Sequence, residues 1–247
     1  MSGYAHWLAD RRTGNTKCQP YLQHWGFLCA PAQLDIALAV SRTGDNFSWP
    51  AGREALLSPS LTGTFASRVV GTVQGIVEAP GGEELWLYYY GDNIDNSGRL
   101  GPEATQRDTS IGRARFRMSG LTFLRVPLFQ PASAGQPARP WPDGGCHVIT
   151  KPLQYSGRQL VLNVDTGAVG SIAVAIEPLA GDRANATRFG LERSVQMTTN
   201  SVRAVAAWWS SAEPDAGQVE DVSGLGGQAV RLHFVMVAAR LYSYRFV

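Results

Sequence analysis

Hydrophobic and polar positions alternate with a period of two along most of this chain, and the alternating stretches are short. The segments 34–41, 69–77, 84–90, 111–118, 121–126, 159–164, 170–176, 202–209, 228–237 and 240–246 are rich in β-branched and aromatic residues and are bounded by Gly, Pro, Asn or Asp. Each is predicted as a strand, because such alternation puts every second side chain on one face of a pleated sheet. No stretch carries a sustained helical stripe. The nearest, 31–40, has alanines and leucines that tolerate a helix, but Thr43-Gly44-Asp45-Asn46 follows it as a hairpin-type turn, and it is read as a strand.

The pattern breaks over one long interval, 131–145, reading PASAGQPARPWPDGG. Proline lacks the ladder donor and glycine lacks a side chain to bury, so this segment cannot continue a central strand. It is predicted as a linker between two all-β units, 1–130 and 146–247. Within the first, 73–77, 85–90, 111–118 and 122–126 read as a four-stranded meander, the outline of one propeller blade, and 21–28, 34–41 and 54–57 supply most of another. Blades take roughly 40 to 50 residues, so a closed five-bladed ring needs about 225. The expectation is a partial β-propeller of about two blades followed by a β-sandwich, with a ring that this chain alone cannot close.

Composition narrows the class. Hydrophobic residues fill 44% of 247 positions, enough for a buried core, which excludes a disordered tail or a disulfide-stapled mini-protein. Charged residues are only 17%, and 27 glycines with 14 prolines make the chain turn-rich, in keeping with strands. The 22 basic and 20 acidic side chains leave a net +2, too weak a field to expect nucleic acid or an anionic membrane as partner. The best apolar run, 230–241, is interrupted by Arg231, His233 and Arg240, so no membrane span is expected. Residues 1–10 lack the pattern of a signal peptide, and a cytoplasmic chain is the default expectation. Cys18, Cys29 and Cys146 cannot all pair within one molecule and none has zinc-type spacing; free thiols, no metal and no cofactor are expected. The glycosylation-type triplets Asn46-Phe47-Ser48 and Asn185-Ala186-Thr187 are of a kind frequent by accident.

Several longer words are more specific. IALAVSRTGDNFSWP (36–50), FASRVVGTVQGIVE (65–78), ELWLYYYGDN (84–93) and IGRARF (111–116) stand in an order and spacing that resembles the closing blades of the five-bladed propellers of glycoside hydrolase families 32 and 43. ITKPLQYSGRQLVLNVDT (149–166), GSIAVAIEP (170–178), VAAWW (205–209) and LGGQAVRLHFVMVAARLYSYRF (225–246) look like the β-sandwich that follows such propellers. The resemblance implies a carbohydrate-related, glycoside-hydrolase-like protein of which this chain is a truncated or non-catalytic C-terminal portion. In such families the catalytic carboxylates stand on inner strands of earlier blades, which this sequence lacks: Gln106-Arg107-Asp108-Thr109 fails as an Arg-Asp-Pro word, and no catalytic residue carries over. The rival expectation is a non-catalytic glycan- or protein-binding module whose open blade flank self-associates or takes a partner chain that completes the propeller.

Candidate chemistry follows from that choice. Glycoside hydrolysis needs two carboxyl groups roughly 5 to 9.5 Å apart about one sugar. Among Asp35, Glu78, Glu83, Glu84, Asp92 and Asp95, Glu78 ends the inner strand of its blade and is the one catalytic candidate, against the reading of a solvated strand-end carboxylate. Trp49, Trp86 and Asp92 are candidates to contact a sugar, aromatic faces stacking on its apolar face; the competing reading of 84–90 is a strand buried between blades. Trp208 and Trp209 point to opposite faces, so one at most sits in a core. Arg113, Arg115 and Arg117 line one strand face, which is better explained by edge protection or pairing with acids than by nucleic acid. The oxygen-rich loop 91–98 lacks the ligand spacing of a calcium hand. Cys146 and His147 are neighbours that face opposite ways, and His6, His24 and His233 stand isolated in sequence, so each histidine is read as structural.

Overall fold

The computed structural model describes residues 5–6, 33–50, 54–95, 98–101, 104–132, 137–141, 144–180, 187–211 and 217–247. The expected strand 21–28, together with Cys18, His24, Cys29, Asn185 and Ala186, lies outside them, as do parts of 131–145. The protein is all-β, built from antiparallel sheets. Contacts divide it into two compact units, Met1–Thr122 and Phe123–Val247.

In the first unit, β1 (Ala5–His6), β2 (Ile36–Leu38) and β3 (Ala55–Leu57) form one antiparallel sheet. A second sheet is the meander β4 (Val69–Glu78), β5 (Glu84–Asp92) and β6 (Thr109–Arg117). Alternation along β5 explains its packing. Leu87 is buried against Ile36, Ala66 and Val70, and Tyr89, Ala114 and Phe116 close over the same cluster. Gly75 sits in the bulge that interrupts β4–β5 pairing between Thr72 and Ile76, with φ of 81°, a conformation that glycine adopts at little cost. Gly112 pairs with Tyr89 across the sheet; a Cβ there would fall 2.3 Å from the Tyr89 ring, so the bare glycine lets that ring lie flat over β6.

The second unit holds β7 (Leu124–Val126), β8 (Phe129–Gln130), β9 (Arg139–Pro140), β10 (Cys146–Ile149), β11 (Leu160–Asp165), β12 (Ser171–Pro178), β13 (Asn200–Val205), β14 (Trp208–Trp209), β15 (Gln218–Val219), β16 (Val230–Val237) and β17 (Ala239–Phe246). Its main sheets run β10-β16-β12 and β13-β11-β17-β7, with two small ladders, β8-β9 and β14-β15. One buried cluster is shared by both main sheets: Leu160, Leu162 and Val164 from one, Ile172, Val174, Ile176, Leu232, Phe234 and Met236 from the other. Between β16 and β17 the chain turns a corner at Ala238, whose φ is 45°, and passes from one sheet into the other. Trp208 is fully buried, its indole N–H donating to the Val174 carbonyl at 2.9 Å, while its neighbour Trp209 is 39% exposed, as the period of two requires. Tyr155 stacks on Phe246 at 3.7 Å and donates its hydroxyl to the Val222 carbonyl at 2.6 Å; burial pushes its phenol up to about 12.

Two expectations change here. The fourth strand of the meander does not join β6. Residues 124–126 instead pair with β17, Val126 opposite Ala239 and Leu124 opposite Leu241. The physical reason is burial: Val126 is 4% exposed within the larger cluster. The Pro- and Gly-rich segment is also more than a spacer. Arg139–Pro140 returns to pair with Phe129–Gln130, and the Trp141 indole N–H donates to the Pro127 carbonyl at 2.9 Å while its ring packs against the core. The division of the chain therefore falls at Thr122 and Phe123 instead of near residue 131.

Candidate functional site

The loop between β5 and β6 is organised by its own buried polar side chains. Asp92 ends β5 and is 5% exposed; one carboxylate oxygen accepts the Ile94 N–H at 3.1 Å. The other accepts Arg107 Nη2 at 2.6 Å, Arg107 Nε at 3.1 Å and the Thr109 hydroxyl at 3.0 Å. Burial alone would raise the Asp92 pKa, but the Arg107 guanidinium, the Ile94 N–H and the Thr109 hydroxyl together hold it below the usual carboxylate range. Asn93 accepts the Asp108 N–H at 2.9 Å and donates to the Gln106 carbonyl at 2.9 Å. Asp95 accepts the Arg99 N–H at 3.0 Å. These groups fold the loop. Both Asp92 oxygens are engaged by it, so Asp92 as it stands is a loop anchor rather than a sugar ligand.

Glu78 is exposed at the far end of β4. It pairs with Leu85, whereas Asp92 pairs with Val69, so the two acids stand at opposite ends of one ladder. At about 3.3 Å per residue, the seven steps from Leu85 to Asp92 span more than about 20 Å. That is at least twice the separation any two-carboxylate glycosidase uses. Trp86 shares a face of β5 with Asp92 by the period of two, again about 20 Å away along the strand. Its indole N–H donates to Glu84 at 3.1 Å, and the Arg113 guanidinium covers its ring at 4.2 Å. Glu84 also holds Arg115 in an ion pair, and hydrogen bonds from Arg115 and Trp86 lower its pKa. The arginine face of β6 thus meets an acid and an aromatic ring on β5. Trp49 is half-buried in the segment between β2 and β3, not on the meander strands that carry Trp86 and Asp92. The four candidates are not brought to one place by any single element.

A different group is brought together in the second unit. The order β10-β16-β12 sets His233 on the central strand opposite Ile149 on one side and Ala175 on the other. His147 and Glu177 lie two residues further along the flanking strands, hence on the same face and within diagonal reach. His147 Nδ1 lies 2.8 Å from His233 Nε2, and His233 Nδ1 lies 2.7 Å from Glu177 Oε1. The His233 side chain is 15% exposed, and His147 is exposed. In the Nδ1–H tautomer that a facing carboxylate favours, His233 presents Nε2 as an acceptor to the Nδ1–H of His147. Isolation in sequence concealed this chain of three groups. The alternation of β16 did place Arg231, His233 and Val235 outward, but the pairing with His147, 86 positions away, is a property of the sheet order.

Among the described residues, no group of three or more His, Cys, Asp or Glu side chains is disposed to hold a metal ion, and no helix is long and apolar enough to cross a membrane. No family model, no curated protein and no solved structure matches this chain.

Proposed function

We propose that this chain is a carbohydrate-related β-module of glycoside-hydrolase type that engages glycan without hydrolysing it. The observation that carries the reading is the placement of its acids: Glu78 and Asp92 are held at opposite ends of the β4–β5 ladder, and Asp92 is consumed by Arg107 and Thr109. Directly across the ladder from Glu78 stands Leu85, an apolar residue and not the partner acid that a hydrolase needs. The carbohydrate half of the proposal rests on the motif resemblance. An antiparallel meander followed by two sheets around one core is compatible with a blade and the sandwich behind it. Exposed Trp209 offers an aromatic surface to a sugar ring, as does the face of half-buried Trp86 that Arg113 leaves uncovered. Titration with neutral oligosaccharides is expected to give a saturable change in intrinsic tryptophan fluorescence, reduced in Trp86→Phe or Trp209→Phe. A flat response across arabinan-, xylan- and fructan-type oligomers would overturn the reading.

One observation favours a second reading, assembly. The meander exposes Val73, Val77, Tyr88 and Ile111, the last at 64%, apolar side chains that a partner would cover. Under this reading light scattering gives a mass above that of a single chain, and Ile111→Lys restores the monomer. A monomer at all concentrations contradicts it.

A further inference from the structure

We propose that His147 and His233 form a binding site for a divalent d-block cation of the zinc, nickel or copper type, with Glu177 orienting His233 from behind. The inference is independent of the carbohydrate reading and rests on three features of the outer face of β10-β16-β12. Two imidazole nitrogens already face one another at 2.8 Å, with only a proton between them. In a tetrahedral site two nitrogens each about 2.0 to 2.1 Å from the metal stand about 3.3 Å apart, so the two nitrogens, nearly in line between ring centroids 5.0 Å apart, must part by about half an ångström and the rings must tilt to aim both lone pairs at the ion. His147 is exposed and free to turn by that amount. The third feature is the Glu177 contact at His233 Nδ1, 2.7 Å, which is the carboxylate–histidine arrangement that fixes a ligand's tautomer and raises its basicity.

Binding balances without a redox step. Two metal–water bonds break, and bonds to His147 Nδ1 and His233 Nε2 form. The proton on His147 Nδ1 leaves to solvent as Nε2 takes one up. Imidazole nitrogens suit zinc, nickel and copper and not calcium or magnesium. Two protein ligands leave the remaining positions to water, so the ion exchanges readily and an incoming oxygen or nitrogen ligand has a place to bind. Arg231 projects from the same face of β16 beside Glu177 and makes the surroundings suitable for an anionic co-ligand.

The test is calorimetric titration of the tag-free full chain with zinc chloride at pH 7.5, repeated with calcium chloride. One equivalent of zinc is expected to bind and calcium to give no heat. His147→Ala and His233→Ala each weaken zinc binding at least tenfold, and Glu177→Gln weakens it roughly tenfold. Zinc binding that is unchanged in the His147→Ala chain, or absent from the unaltered chain, overturns the proposal. A second measurement needs no variant of the buried strand: nickel added to the unaltered chain broadens amide resonances of Cys146–Ile149 and of β16 around His233 first. Broadening centred elsewhere, such as at His6 or His24, overturns the assignment.

Discussion

Asp92 shows how a residue that reads as a ligand can be an organiser. Its carboxylate gathers a guanidinium, a hydroxyl and a backbone N–H, all from the loop that it closes. Asp92→Asn is expected to destabilise the protein by about 2 kcal/mol at neutral pH, the scale of hydrogen bonds to a charged group. Because the folded-state pKa lies below the unfolded one, this contribution is complete above the ordinary carboxylate range and is lost as pH falls through it towards the lower folded value. Urea unfolding of the two chains at pH 7 and pH 3 checks this: the gap between them narrows at the lower pH, and a constant gap contradicts the linkage. The sequence pattern marked Asp92, Trp86 and Glu78 by position on strands, which the fold upholds. It could not show which cations would take up their polar atoms and rings, because Arg107 and Arg113 reach them only through loop closure and strand register, whereas Glu84 meets Trp86 from two places along the same strand. His147 and His233 make the same point from the other side, since neither looks functional until β10 and β16 are laid together.

At the scale of elements, strand existence was legible and strand partnership was not. Ten period-two segments were predicted, and β4, β5, β6, β11, β12, β16 and β17 lie on them with ends shifted by a few residues. Residues 205–209 hold a break, because Ala206 and Ala207 are buried between β13 and β14 and take the chain out of one ladder into another. The segment 122–126 is the instructive difference. Proximity in sequence suggested pairing with β6, but Val126 gains a buried site beside Ala239 and Leu241. Val126→Asp places a carboxylate in that core and is expected to cost about 3 kcal/mol or more. Amide shifts in the variant should concentrate on Ala239–Phe246; shifts concentrated on Thr109–Arg117 would contradict the pairing.

For the whole molecule, the all-β class follows from composition and alternation together, since few charges, many turn residues and no helical stripe leave little else. The units differ in what holds them. Among the described residues, the second shares one large cluster between two sheets, and the first shows a smaller cluster around Ile36, Ala66, Val70 and Leu87 with much of its meander exposed. Amide exchange is therefore expected to be slowest in β11, β12 and β16 and faster throughout β4 and β6, as local stability follows buried apolar contact. Equal protection in both units contradicts that ranking. Proline and glycine content marks residues 131–145 as a spacer, whereas contacts divide the chain at Thr122 and Phe123, since the strand before that segment and Trp141 within it are tied to the second core. The central functional claim, engagement of glycan without cleavage, meets its most direct test in turnover. The full chain at high concentration is incubated with a panel of oligosaccharides and aryl glycosides, and released sugar is measured beside Glu78→Gln. The account predicts no release above the blank from either chain; reproducible hydrolysis that Glu78→Gln abolishes would contradict it.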